Sequence, residues 1–326
     1  MDGMKAILVT RHGGPEVLTY AEDITRPTPK EDELLVEVLV AGVNYIDTYF
    51  REGVYHSALP FIPGQEGVGR VVEDPRGEIA EGTKVAWSDA FGSYAEFVCV
   101  ARDRVVAVPQ DVGDEEAASM LLQGMTAHYL THSVYQLGAD DTCLITAGAG
   151  GVGLLATQFA VSLGATVFSV VSSDEKEELA YQAGASEVFR YSEGLAESVR
   201  RRNGGRGVDV VYDGVGQATF DESLEAVRPR GLVCLFGAAS GPVDPVDPQR
   251  LNTHGSIYLT RPSLGAYTAD AEEFTMRAQA VAQALVEKKI SIRVSDSYPL
   301  AEAAQAHRDL QERRTTGSIV LRISNT

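Results

Sequence analysis

From residue 142 to residue 173 the chain runs for 32 residues without a single Asp, Glu, Lys or Arg. A stretch this long and apolar belongs either in a bilayer or inside a protein core. Five glycines, Gly148, Gly150, Gly151, Gly153 and Gly164, exclude the membrane helix, because they divide the run into a strand, a glycine loop, a helix and a second strand. The same alternation continues downstream. Candidate strands at 142–147, 166–171, 187–191, 208–212, 232–236 and 256–260 have helical segments between most of them. Strands buried on both faces need helices above and below, so residues 125–265 are expected to form a doubly wound, parallel α/β domain.

The flanks read differently. Residues 1–124 are β-rich, with short strands in MKAILVT, ELLVEVLVAGV, EGVGRVVE, TKVAWSD, AEFVCV and DRVVAVP, and the alternation over 33–43 predicts a half-buried antiparallel strand. The pattern turns helical over 115–136. Residues 266–326 return to mixed character, with a long helix over 269–287, a strand near Ile290, a short helix over 302–312 and a strand at SIVLRI. At 326 residues the chain exceeds what one hydrophobic core ordinarily serves, and two domains are expected.

Charge narrows the partners. With 28 basic and 46 acidic residues, the net charge is −18. A chain of that balance is repelled from nucleic acid and from anionic membrane surfaces, which leaves small molecules as the expected partners. Three separated cysteines, Cys99, Cys143 and Cys234, sit in apolar runs and make no disulfide framework, which fits a reducing, cytoplasmic compartment. The first residues carry no signal-peptide pattern.

Gly148-Ala-Gly150-Gly151-Val-Gly153 has the spacing G-x-G-x-x-G, after an apolar strand and at the start of a helix. In that setting the first glycine permits the tight turn and the second lets the backbone approach a pyrophosphate. The third allows close helix packing, and the free N–H groups of the helix face the anion. About twenty residues on, where an acid would bind the ribose of NAD, the chain reads Ser172-Ser173-Asp174-Glu175-Lys176. Hydroxyls and an ammonium suit a 2′-phosphate, so NADPH is the expected cofactor, with Asp174 and Glu175 opposing it. His128 and His132 stand at i, i+4 and could share a metal. They lack the Glu of H-E-x-x-H and a third ligand, so packing histidines are expected.

Taken together, VNYIDTY at 43–49 with Arg51, Gly53 and Tyr55, PGQEGVG at 63–69, AGAGGVG at 147–153, VVYDGVG at 210–216 and TRPSL at 260–264 resemble the zinc-free, zeta-crystallin-like quinone oxidoreductases of the medium-chain dehydrogenase/reductase superfamily. The resemblance covers essentially the whole chain. It implies a GroES-like catalytic domain built from both ends of the chain, an inserted Rossmann nucleotide domain, and a homodimer formed through edge strands of two sheets. Metal-dependent relatives place a zinc-binding cysteine where this chain has Asn44 and a zinc-binding histidine where it has Gln65. Neither amide is a good zinc ligand, so no metal is expected.

Metal-free hydride transfer suits an acceptor whose charge is delivered to a conjugated oxygen, which points to an NADPH:quinone reductase. Reduction of enones, enals or enoyl thioesters is the alternative. A nucleotide-sensing or RNA-associated protein with little turnover is a more distant one. The resemblance implies that Asn44, Tyr49 and Tyr55 serve the reacting centre. It places Asp47, Thr126, Gly150, Gly151, Val152, Ser172, Ser173, Lys176, Tyr191, Phe236, Gly237 and Arg313 along the cofactor. Arg261 could reach the same region.

Overall fold

The computed structural model describes residues 3–323. They form two compact units. The first runs through Met125 and takes in Thr268–Lys288 and the residues from Ile292 onward, and the second comprises Thr126–Tyr267 with Lys289–Ser291.

The first unit opens with an antiparallel pair, β1 (Gly3–Leu8) and β2 (Thr19–Thr25). β3 (Glu33–Val43) follows, then helix α1 (Tyr45–Glu52) and strands β4 (Glu66–Glu73), β5 (Lys84–Ser88), β6 (Phe97–Ala101) and β7 (Val105–Ala107). α2 (Leu121–Tyr129) begins at its end. After the second unit the chain returns as α7 (Ala271–Val286), β14 (Val294–Pro299), α8 (Ala303–Gln311) and β15 (Ser318–Arg322). The seven-stranded sheet has the order β14-β15-β3-β4-β5-β7, with β6 also paired to β3. Both ends of the chain therefore build one sheet, through the antiparallel pairing of β15 with β3.

That pairing corrects the half-buried expectation for residues 33–43. β3 has three neighbours, β15, β4 and β6, and is buried on both faces along most of its length. Its core partners include Trp87, Tyr94, Val100 and Leu321, all at most 0% exposed. The expected strand near Ile290 begins instead at Val294, where the ladder with Ser318 starts, and Ile290 buries its side chain from a loop. β2 carries Glu22 and Asp23 on a largely exposed edge, so neither periodicity nor hydrophobicity announced it.

In the second unit, β8 (Thr142–Ile145), α3 (Gly151–Ser162), β9 (Thr166–Val171), α4 (Asp174–Gln182), β10 (Glu187–Arg190), α5 (Leu195–Arg202), β11 (Val208–Asp213), α6 (Phe220–Ala226), β12 (Val227–Leu235) and β13 (Tyr258–Thr260) form the expected alternation. The sheet is parallel throughout, in the order β10-β9-β8-β11-β12-β13. β8 and β11 lie at its centre and are wholly buried, which accounts for the uncharged run. Ser291 joins this unit because its N–H donates to Gln158 Oε1 at 2.7 Å, while Gln158 Nε2 donates back to its carbonyl at 3.1 Å.

Trp87 is the largest fully buried side chain, and its indole N–H donates to Ser93 Oγ at 2.9 Å. Trp87→Ala is expected to destabilise the protein by about 3–5 kcal/mol, read from urea unfolding followed by far-UV circular dichroism.

Candidate active site

In the first unit the candidate residues gather where β3 ends and β4 begins. Asn44 caps α1, with its side chain turned into the protein and 5% exposed. Its Nδ2 donates to Glu66 Oε2 at 2.9 Å, and its Oδ1 accepts from Gln123 Nε2 at 3.0 Å. Gln123 is oriented in turn, since its Oε1 accepts from Ser318 Oγ at 2.7 Å. Glu66 also accepts the Leu122 N–H at 2.7 Å. Burial pushes the Glu66 carboxyl up to about 8, against the pull of those donors. The Asn44 amide is thus fixed in one orientation, with one N–H left to donate.

Asp47 was expected along the cofactor. It is 1% exposed, and the hydrogen bonds it makes fix the loop into α1. Its Oδ2 accepts the Asn44 N–H at 2.8 Å and the Tyr94 hydroxyl at 3.1 Å, which holds the first turn of α1. Burial lifts its carboxyl to about 7. Behind it stands a chain of which the motifs had indicated only Arg51. Arg51 Nη1 lies 3.0 Å from His307 Nδ1, and His307 Nε2 lies 3.1 Å from the Tyr94 hydroxyl. A guanidinium can only donate, so Nδ1 accepts and Nε2 carries the hydrogen. Burial and the Arg51 charge push His307 down to about 3, which keeps the imidazole neutral and the direction of the chain fixed. The sequence signal was available only as an arginine inside an amphipathic helix.

Tyr49 and Tyr55 meet edge to face with centroids 5.5 Å apart. Gly53 ends α1 at φ 78°, and the turn it makes brings Val54 and Tyr55 back so that both N–H groups donate to the Tyr49 carbonyl. Tyr55 remains 39% exposed, which leaves a ring available to a planar ligand. Arg313, also expected at the cofactor, stands beside Tyr45 in this unit.

In the second unit the glycine loop is a cradle in the steric sense. A Cβ on Gly153 would lie 2.4 Å from the Ala147 carbonyl oxygen, and one on Gly148 would lie 1.7 Å from Ser169 Oγ. Gly150 is the N-cap of α3, so the N–H groups of Gly151 and Val152 open the helix without an intrahelical acceptor. Ala147 itself sits at φ 50°, a left-handed conformation that costs a non-glycine residue about 1–2 kcal/mol. Tyr191 supports it: Ala147 N–H donates to the Tyr191 hydroxyl at 2.7 Å, and that hydroxyl donates to the Val170 carbonyl at 3.3 Å. The expected cofactor residue therefore braces the loop.

At the end of β9, Ser172 is exposed, and Ser173 caps α4 by accepting the Lys176 N–H at 3.3 Å. Asp174, which opposed a phosphate there, is engaged by Arg190 Nη2 at 2.6 Å, and Glu177 by the same atom. Arg190 also has a buried Nη1 with no partner. It lies sixteen residues from Asp174 in sequence, so only the parallel pairing of β9 with β10 brings it in. Phe236 and Gly237 follow β12, and the Phe236 N–H donates to the Asp213 carbonyl at 2.8 Å. Asp213, the acid of VVYDGVG, collects Thr146, Thr219 and Ser223 hydroxyls and so sets the loop after β11. The Arg261 guanidinium donates to the Phe236 carbonyl at 2.9 Å, and Thr126 is nearly buried in α2. His128 and His132 stack at 4.2 Å, and both rings meet Phe159 edge-on as packing residues.

The chain matches two family models, the alcohol dehydrogenase GroES-like domain over residues 30–110 and the zinc-binding dehydrogenase over 151–281. A quinone oxidoreductase of Pseudomonas aeruginosa is 41% identical over 97% of this chain and 99% of its own. The chain belongs to the quinone oxidoreductases of the medium-chain dehydrogenase superfamily. It is also similar to a 2-haloacrylate reductase of a Burkholderia species, 35% identical over 97% of this chain and 98% of the relative. The structure of a mycobacterial protein complexed with NADPH superposes with a TM-score of 0.96 at 50% identity, covering 98% of this chain and all of the other.

The zinc of the second family model's name does not fit these residues. The amide of Asn44 is engaged by Glu66 and Gln123, Gln65 offers a second amide, and among the described residues no group of three His, Cys, Asp or Glu side chains could hold a metal. A dinucleotide does fit, on the evidence of the cradle that a Cβ would fill and the unpartnered Arg190 nitrogen.

Because the folded protein keeps the Glu66 proton that the unfolded chain releases near 4.5, stability is expected to fall as pH rises from about 4.5 to 8. Asp47 adds to the fall up to about pH 7. Glu66→Gln is expected to flatten the slope between pH 7 and 8, measured as the urea midpoint against pH.

Proposed function

We propose that the protein is an NADPH-dependent, metal-free reductase of quinones. The observation that carries this reading is that one chain holds both a dinucleotide cradle in its second unit and, in its first, a fixed amide at a position where metal-dependent relatives would place a ligand. NADPH, when bound, supplies a hydride equivalent, and a quinone that takes it up with a proton becomes the hydroquinone. Gly150, Gly151 and Val152 hold the pyrophosphate by backbone donors. Ser172, Ser173, Lys176 and Arg190 hold the 2′-phosphate, and Phe236, Gly237 and Thr126 line the remainder. Tyr49 and Tyr55 stack on the planar acceptor, and the remaining Asn44 N–H donates to its carbonyl oxygen. An amide donor is a weak electrophile beside a metal ion, which selects acceptors whose charge is delocalised.

The similarity to a 2-haloacrylate reductase supports a second reading, reduction of a conjugated C=C bond. The substrate test is loss of NADPH absorbance with benzoquinone, naphthoquinone, 2-chloroacrylate, a 2-alkenal and crotonyl-CoA in parallel. Quinones are expected to give the highest kcat/KM, and a preference for acrylate or thioester overturns the assignment. We further infer a homodimer, supported by the edge position of β13 and the 66% exposure of Tyr258 on it. Cytoplasmic residence is supported by three cysteines free of disulfides. Among the described residues, no helix is long and apolar enough to cross a membrane.

Two variants separate the parts of the cofactor site. Lys176→Ala is expected to raise the NADPH Kd about ten- to a hundredfold and leave that of NADH within twofold. Tyr191→Phe, which withdraws the brace from Ala147, is expected to raise both by about two- to tenfold. Fluorescence titration with each cofactor reads the difference.

A further inference from the structure

The first unit holds a pocket of about 600 Å³ away from the Asn44 amide, walled by residues that include Met4, Leu8, Phe61, Phe91, Phe97 and Cys99. Its volume lies within the range of small-molecule sites. None of its lining residues is Asp, Glu, Lys or Arg, in a chain of which 23% of residues are charged. The polar side chains on the wall are Thr25, His56, Ser57 and the Cys99 thiol, which burial pushes up to about 11 and so keeps neutral. The Arg26 guanidinium packs on the Phe97 ring at 3.9 Å and does not itself line the pocket, and the uncharged wall favours an uncharged occupant over a nucleotide or carboxylate.

Two observations give the pocket a direction. The first is a continuous row of rings: Tyr49 meets Tyr55 at 5.5 Å, Tyr55 meets Phe50 at 5.5 Å, Phe50 meets Phe91 at 4.6 Å, and Phe91 meets Phe61 at 6.5 Å. Phe91 and Phe61 are pocket wall, while Tyr49 and Tyr55 are the rings assigned to the acceptor. The second is exposure. Val54 at 62%, Tyr55 at 39% and Leu59 at 40% in the segment after α1, and Phe91 at 47% after β5, leave large apolar side chains in water. Single exposed hydrophobic residues need no explanation, but Phe91 on the pocket wall and three more in the segment that supplies His56, Ser57 and Ala58 to that wall make an apolar surface suited to being covered in use.

We propose that this pocket receives the isoprenoid or alkyl tail of a quinone whose ring stacks on Tyr49 and Tyr55. The proposal rests on the quinone reading and deepens it: the substrate class is tailed, lipid-type quinones rather than bare rings. An uncharged chain matches the wall, and the row of rings supplies an apolar path from head group to pocket. Each methylene moved from water to such a wall tightens binding by about fourfold when fully buried. A ten-carbon tail that is only partly seated still lowers KM by at least about tenfold.

The test uses one head group with three tails, 2,3-dimethoxy-5-methyl-1,4-benzoquinone bare, with one prenyl unit and with a decyl chain, all below their aggregation limits. KM is expected to fall in that order, at least about tenfold overall, with kcat unchanged within threefold. Ala58→Trp, a filling change at an exposed lining position, and Phe91→Ser, which breaks the row, are expected to abolish the tail's advantage and to leave the bare head group unaffected. Decanol, titrated calorimetrically into the wild type and Ala58→Trp, probes the chain alone. It is expected to bind only the wild type and to compete with the decyl quinone but not with the bare one. Quinone turnover with KM independent of the tail, or decanol binding that does not compete with the decyl quinone, overturns the tail site and leaves the quinone reading intact. Decanol binding without turnover of any quinone overturns the quinone reading instead.

Discussion

A buried carboxyl group with no cation beside it organises the first unit. Glu66 is 1% exposed, and its two oxygens are met by a backbone N–H from α2 and by the amide of Asn44. A carboxyl group buried there without hydrogen-bond partners would cost about 1–3 kcal/mol, so the two donors stabilise the region in this arrangement. The surroundings record the constraint. Gly42, across the sheet, has no room for a side chain, because a Cβ would lie 2.4 Å from the Ala118 carbonyl and 2.9 Å from Glu66 Oε2. The start of α2, the end of β3 and the orientation of Asn44 are consequences of one hydrogen-bonding requirement.

The same logic extends along α1. Asp47 holds the first turn from within, Tyr94 and His307 hold Asp47, and Arg51 closes the chain by donating to His307 and to the Gly13 carbonyl. His307 comes from the C-terminal return of the chain, so the helix carrying Tyr49 is positioned by residues more than 250 apart in sequence. That arrangement gives a physical reason for a catalytic unit built from both ends of the chain. The aromatic face can be presented to a ligand because the polar network behind it is directional and almost fully enclosed.

The nucleotide unit was legible because its requirements are local. An uncharged run, a glycine spacing and a serine–lysine end to β9 each lie within a few residues, and the strand bounds at 166–171 were reproduced in β9. What escaped was everything that depends on distant pairing. Asp174 and Glu175 read as obstacles to a phosphate until the β9–β10 ladder placed Arg190 on Asp174. Tyr191 read as a ligand contact, whereas its hydroxyl is occupied in holding Ala147 in a left-handed conformation. In the first unit, VNYIDTY pointed to one segment but could not distinguish Asp47 facing inward from Tyr49 in the row of rings. That distinction depends on Tyr94 and His307, which carry no motif of their own.

The net charge of −18 acquires a more specific meaning beside these sites. An anionic cofactor approaches against the field of the whole protein and must be held by short-range donors, the role proposed for the glycine cradle, Lys176 and Arg190. The acceptor is uncharged and is indifferent to that field. The central claim is that the fixed Asn44 amide takes the place of a metal in polarising the acceptor, and steady-state kinetics of Asn44→Ala test it most directly. The account predicts a fall of about a hundredfold in kcat/KM for a quinone with the NADPH Kd unchanged within twofold. An unchanged kcat/KM, or a loss confined to NADPH binding, would contradict it.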